Sequence, residues 1–179
     1  MHRLFVACIP PEEVRRSLLA IMGGMEGARW QSDAQLHITL RYIGEVDGRT
    51  ADTVADSLSR VAARACDVAV HGVGSFDRRG KVHSVWAGVR PVAPLEALHQ
   101  KLDRALVMTG LPPEARAYRP HITLARLSRP QADVDAFLRT WSALTSPPFR
   151  LDHMVLFESL PTAEGSHYRP VERYRLALP

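Results

Sequence analysis

Lysine is nearly missing from this chain. Lys81 and Lys101 are the only two, although the formal net charge is +4 and the pI is about 9.5. Arginine therefore carries almost all the positive charge. Its planar fork suits phosphate oxygens, so a polyanionic partner fits this balance, as does a general preference for arginine. Cysteine is equally scarce: Cys8 and Cys66 form neither a metal-ligand spacing nor a disulfide framework, which points to a reducing cytoplasm. No apolar run approaches the ~20 residues of a membrane span, and the opening MHRLFVACIP is too short for a signal-peptide core. There is no Gly-x-Ser-x-Gly elbow to support a serine nucleophile. No linker or low-complexity segment divides the 179 residues, and 46% apolar with 23% charged residues is ordinary globular composition.

What the chain does have is a tetrapeptide spelled twice. LHITLRYIGEV carries His37 and Thr39, and close to half the chain later PHITLARL carries His121 and Thr123. The surroundings alternate in character. Residues 3–9 read as a strand broken by Pro10-Pro11, and residues 11–22 as a helix with Val14, Leu18, Leu19 and Met22 on one face. Residues 36–43 form the first HITL strand, and 47–65 a second helix. Strands at 67–73 and 82–89 are joined by the polar turn SFDRRGK, and a helix follows at 94–109. A loop from Pro112-Pro113 leads to the second HITL strand, then a helix at 134–144 and strands at 149–157 and 174–178 around the loop PTAEGSHY. Each half thus contains an HITL strand, a helix and further strands, as an internal duplication would give.

Side chains on a strand alternate faces. Leu36, Ile38, Leu40 and Tyr42 share one face, which reads as core, and His37, Thr39 and Arg41 share the other. Ile122 and Leu124 likewise lie opposite His121 and Thr123. If the halves are related by a pseudo-two-fold, two imidazoles and two hydroxyls converge on one cleft. In-line displacement at phosphorus needs a base for the attacking oxygen and an acid for the leaving one, and imidazole serves as either near neutral pH. The threonine hydroxyls can donate to the non-bridging oxygens. Zinc is the competing reading of paired histidines. However, the residue two after each histidine is a threonine, a poor ligand, and no Cys, Glu or further His completes a set. His2, His71, His83, His99, His153 and His167 lie in dissimilar settings and read as structural or surface residues.

HITLRYIGEV and RPHITLARL resemble the two HxTx motifs of the two-histidine phosphoesterases. RLFVACIPPEEVR, VGSFDRRGKVHSVWAGV and MVLFESLPTAEGSHY extend the likeness nearly end to end. They point to the RNA 2′,3′-cyclic phosphodiesterases, also called 2′-5′ RNA ligase-like proteins. The resemblance implies an α+β fold, bilobal with a pseudo-two-fold. In it, two antiparallel sheets are flanked by helices with the active cleft between them, and residues 1–179 form a single domain of two interleaved lobes. It implies no cofactor and no metal. It also implies that His37 protonates the leaving 3′ oxygen and that His121 activates water, giving a 2′-phosphomonoester, roles that residue chemistry alone leaves open. Thr39 and Thr123 match the phosphate-holding positions, and Arg126 matches a basic residue there that pairs with phosphate. Phe76 and Tyr168 are aromatics in segments that can flank the cleft and stack on a base, although residues 161–167 lack the double-glycine composition of relatives.

The expected partners are RNA ends or nucleotides bearing a 2′,3′-cyclic phosphate, met in the cytoplasm by a monomer with no membrane association. Two other readings stand beside hydrolysis. One is 2′-5′ RNA ligation by the reverse reaction, which ~55 M water disfavours. The other is a non-catalytic RNA-end binder, against which the intact His and Thr pairs count.

Overall fold

A computed structural model describes residues 1–128, 133–163 and 165–178. In chain order the elements are β1 (His2–Cys8), α1 (Glu12–Ile21), β2 (Ala28–Trp30), a 3-10 turn (Asp33–Gln35), β3 (Ile38–Val46), α2 (Gly48–Ser59), β4 (Cys66–Arg78), β5 (Lys81–Arg90), α3 (Val92–Val107), β6 (His121–Leu127), α4 (Val134–Thr140), β7 (Phe149–Leu151), β8 (His153–Thr162) and β9 (Gly165–Arg175). The fold is α+β. Its strands run β7-β4-β5-β6-β3-β1-β8-β9, with β2 also on β6, and every pairing is antiparallel.

Period-two alternation sorts the two faces of this sheet. Leu4, Val6 and Cys8 of β1 join a large core with Val14 and Leu18 of α1, Leu58 of α2 and Leu102 of α3, whereas Phe5 and Ala7 join a small cluster with Val155, Phe157 and Tyr168 on the other face. Between β3 and β6 the ladder narrows to one pair, Ile38 opposite Ile122. Both isoleucines are fully buried. Two such side chains contribute about 1.5–3 kcal/mol each through burial, more than the ~1 kcal/mol net of each ladder hydrogen bond. Packing is the main tie at this seam.

Beyond the seam both HITL strands carry a bulge at the same step. In β3 the register against β1 slips by one where Val6 faces Arg41 and Ala7 faces Thr39. In β6 it slips against β5 where Val85 faces Ala125 and Trp86 faces Thr123. An inserted residue reverses the alternation, so Leu40 and Arg41 are both buried and Tyr42 turns outward, 50% exposed. This corrects the sequence reading twice: Tyr42 is not core, and Arg41 does not share the face of His37. Leu124 and Ala125 are likewise both buried, and Arg126 is exposed. Carbonyls near the first bulge find side-chain partners. His99 of α3 donates Nδ1–H to the Leu40 carbonyl at 2.6 Å, and the Tyr118 hydroxyl donates to the Thr39 carbonyl at 3.2 Å.

Other boundaries moved for identifiable reasons. The expected turn SFDRRGK is mostly strand: β4 continues to Arg78, and only Arg79 (φ 55°) and Gly80 (φ 72°) turn. The strand expected at 149–157 breaks at Asp152, so that β7 pairs β4 and β8 pairs β1. The loop PTAEGSHY is the tip of the β8–β9 hairpin, with Pro161 opposite Ser166 and Thr162 opposite Gly165. Its second strand is an exposed sheet edge without apolar alternation, which hid it. The second helix ends at Ser59 and the fourth at Thr140, both shorter than expected, while β2 and the 3-10 turn had no clear signal.

Arg41 holds the far side of the first bulge. Its guanidinium donates Nε–H to Asp103 Oδ1 at 2.7 Å and Nη2–H to the Pro112 carbonyl at 2.6 Å. Burial alone would raise the Asp103 pKa, but the Glu114 amide and Arg41 outweigh it, and the carboxyl sits below its ordinary range. Removing one partner of such a pair strands the other. Arg41→Ala is expected to lose about 3–5 kcal/mol in urea unfolding. The Asp103 contribution is present above the unfolded carboxylate pKa and fades as pH falls through the lower folded value. A loss under about 1 kcal/mol would mean that the pair does not anchor the strand.

Candidate active site

The antiparallel pair Ile38–Ile122 lies at the centre of both motifs. One step either side, the same register turns His37 towards Thr123 and Thr39 towards His121, all on the face opposite the helices. All four residues are half-buried. The sequence expected these faces to converge, and the structure brings them together.

Both imidazoles are held in the same way. His37 Nδ1 lies 2.7 Å from the Gln35 carbonyl, and His121 Nδ1 lies 2.7 Å from the Arg119 carbonyl. A carbonyl only accepts, so Nδ1 carries the hydrogen in each ring and Nε2 is left with its lone pair. The carbonyl for His37 comes from the 3-10 turn, closed by a capping box in which Gln35 Oε1 accepts from the Ser32 amide at 2.9 Å.

Aromatic rings wall the two histidines. Tyr168 meets His37 edge-on with centroids 5.2 Å apart, and Phe5 lies 5.0 Å away. Phe76 meets His121 edge-on at 4.9 Å, and Trp86 lies 6.0 Å away. The structure therefore brings both sequence-nominated aromatics, Phe76 and Tyr168, against the motif histidines. Phe5, Trp86 and Arg119 were missed. Phe5 alternates with Leu4 and Val6, which was a usable signal. Trp86 is accommodated because Gly74 faces it: a Cβ there would come within 2.3 Å of the indole. Its Nε1–H is buried without a partner among the described residues. Arg119 stacks its guanidinium 5.9 Å from the Phe76 centroid.

Burial among these rings disfavours charge. It pushes His37 from 6.5 down to about 4, partly opposed by the Gln35 hydrogen bond and reinforced by His121 and Arg126. His121 is lowered for the same reason, burial first, with Arg126 and Arg119 adding to it. Arg126 therefore acts electrostatically on both histidines, as its position past the bulge allows. Among the described residues no three His, Cys, Asp or Glu side chains converge as metal ligands.

In the free protein the His37 ring is expected to stay neutral, with hydrogen on Nδ1, until the pH falls to about 4, as read by ¹H–¹⁵N correlation of the ring nitrogens. Unfolded, the same ring charges near its ordinary value, so this group's contribution to stability is intact above 6.5 and declines as pH falls towards 4. A midpoint at or above 6.5, or hydrogen on Nε2, would contradict the geometry described.

The chain is 26% identical over 170 residues to an RNA 2′,3′-cyclic phosphodiesterase of Archaeoglobus fulgidus, covering 93% of this chain and 96% of that one. It is 27% identical to a protein of the same name from Thermotoga maritima, covering 93% and 91%. A crystal structure of E. coli LigT complexed with 3′-AMP superposes with a TM-score of 0.79 at 25% identity over 98% of both chains. A Thermus thermophilus structure gives 0.81 at 22% identity over 97% of both, a likeness of fold. No helix among the described residues is long and apolar enough to cross a membrane. The family model for the 2′-5′ RNA ligase superfamily matches residues 10–162, a span that includes both HxT strands, and the chain belongs to that superfamily.

Proposed function

We propose that this protein is a phosphoric diester hydrolase that opens 2′,3′-cyclic phosphates on RNA ends or nucleotides, leaving a 2′-phosphomonoester. The observation that carries the reading is the matched pair of imidazoles, each fixed at Nδ1 by an i−2 carbonyl so that its Nε2 is left free. The relatives from Archaeoglobus fulgidus and Thermotoga maritima are named as RNA 2′,3′-cyclic phosphodiesterases, which supports the opening of a cyclic phosphate. The chain works as one unit of two interleaved lobes, since neither HxT strand alone supplies both an acid and a base.

The cyclic phosphate lies between Thr39 and Thr123, whose hydroxyls donate to its non-bridging oxygens, and Arg126 offsets its negative charge. His121 Nε2 takes a proton from water as that oxygen attacks phosphorus. His37 Nε2–H⁺ gives a proton to O3′ as the P–O3′ bond breaks. The acid and base roles follow the family resemblance. In the free protein both rings are biased towards neutrality, so the proton needed by His37 arrives with the anion, whose charge offsets the cost of burial. No step needs a metal. Phe76 and Tyr168, beside the two histidines, supply faces for the base.

Two outcomes are expected. With EDTA present, a nucleoside 2′,3′-cyclic phosphate is converted to its 2′-phosphate, and His37→Ala or His121→Ala lowers turnover by about 10²–10⁴-fold. Near-wild-type turnover in either variant, or a chelation loss restored by added metal, would remove the paired-histidine mechanism. A 3′-phosphate product would reverse the two roles.

The pH profile follows from the direction of the shifts. The active free enzyme carries one proton on the pair, and lowered pKa values move that form to the acid side of 6.5. Thus kcat/KM is expected to peak below 6.5 and fall through neutrality, with limbs belonging to the coupled pair. In kcat, where the phosphate is bound, both limbs move upward. A rate that climbs steadily into alkali would mean that no general acid participates.

A further inference from the structure

A polar cavity of about 40 Å³ is lined by Gln35 and Tyr168, the residues that also contact His37. It lies between β2, β6 and the tip of the β8–β9 hairpin, and Arg29, Gln31, Gln35, Arg126, Ser166 and Tyr168 line it. Its volume holds about three water-sized groups, enough for the non-bridging oxygens of a phosphate. Arg29 and Arg126 are direct cross-strand neighbours on β2 and β6. Like charges so placed repel, and neither arginine belongs to any ion pair among the described residues. Gln31 is 7% exposed. Its backbone amide donates to the Leu124 carbonyl at 2.8 Å, and its side-chain amide makes no hydrogen bond with the described residues. An anion in the cavity offsets the repulsion between the two guanidiniums and gives the Gln31 side-chain amide an acceptor.

From this we infer that Arg29 and Gln31, with Arg126 shared between this cavity and the cyclic phosphate, form a second phosphate subsite, which takes a phosphate of the substrate other than the cyclic one. The inference rests on the cleft being the substrate site, as proposed above, and it specifies the substrate further. Gln35 and Tyr168 line the cavity and also touch His37, one by its carbonyl and the other by its ring edge, so both phosphates of one ligand can be held together. A bare nucleoside 2′,3′-cyclic phosphate leaves the subsite unfilled. An RNA end supplies its last internucleotide phosphodiester, and a mononucleotide can supply a 5′-phosphate. The chemistry recognised is the same in both.

Binding tests this without relying on turnover. Trp30 also lines the cavity, so tryptophan fluorescence can follow titration with adenosine 2′-monophosphate, adenosine 2′,5′-bisphosphate and a diadenosine dinucleotide ending in a 2′-phosphate. At low salt the bisphosphate, the dinucleotide or both should bind about tenfold or more tightly than the monophosphate, and added salt should erode the advantage. Whichever ligand gains identifies the phosphate received. In Arg29→Ala the advantage should shrink below about threefold, whereas Arg29→Lys should keep part of it. Gln31→Leu, which fills the same space without the amide, should also lose part of it. Equal affinity for all three ligands in the wild type, or an advantage unchanged in Arg29→Ala, would overturn the inference. A protein that shows the advantage but hydrolyses no cyclic phosphate would instead overturn the proposed reaction and leave the subsite standing.

Discussion

The cleft depends on one cross-strand contact. Ile38 and Ile122 meet at the only paired position between β3 and β6 among the described residues, and a period of two around that point turns two histidines and two threonines to the same side. A slip of one residue in either strand would send its histidine and threonine into the helical core and bring leucine and isoleucine into the cleft. Neighbouring elements hold the register. β1 and β5 pair extensively with the outer edges of the two strands, and His99 and Tyr118 take up carbonyls at the first bulge. Because the bulges fall at the same step, Tyr42 and Arg126 occupy matching places, each three residues past its motif threonine. The scaffold is near-symmetric, while the side chains at this step are not.

This arrangement explains how much of the molecule could be read from sequence. The HITL strands were legible because apolar and chemically active residues alternate without interruption from Leu36 to Leu40 and from His121 to Leu124. Alternation then misled at Tyr42, because a bulge has no residue signature here: the inserted step lies among Leu, Arg and Tyr, with no glycine to mark it. The hairpin tip was legible only as polar, since an edge strand facing solvent need not alternate. Phe76 and Tyr168 could be nominated as aromatics near the site but not placed, because their approach to the histidines depends on strand pairing far apart in sequence. Arg29 gave no signal. It became notable only once β2 was seen beside β6.

The electrostatic setting is that of a site waiting for an anion. Aromatic walls and nearby arginines both disfavour imidazolium and the carbonyl behind each Nδ1 only partly opposes them, so the rings are biased towards neutrality and an arriving negative charge works against that bias. Guanidiniums suit this task because they remain charged and hydrate more weakly than ammonium groups. The near-absence of lysine thus agrees with the local design around the cleft, where Arg29, Arg119 and Arg126 are the cations nearest to the described site.

Gln35 ties two parts of the site together. Its main-chain oxygen fixes the tautomer of His37, and its side-chain Nε2–H donates to the Ser166 carbonyl at the hairpin tip, 2.7 Å away. The hairpin and the acid–base ring are therefore mechanically linked through a single residue. Any coupling between ligand contact at the hairpin and the protonation of His37 through this residue acts to the same extent in both directions. A long RNA tail that presses on the tip would in this way reach the proton without touching the histidine.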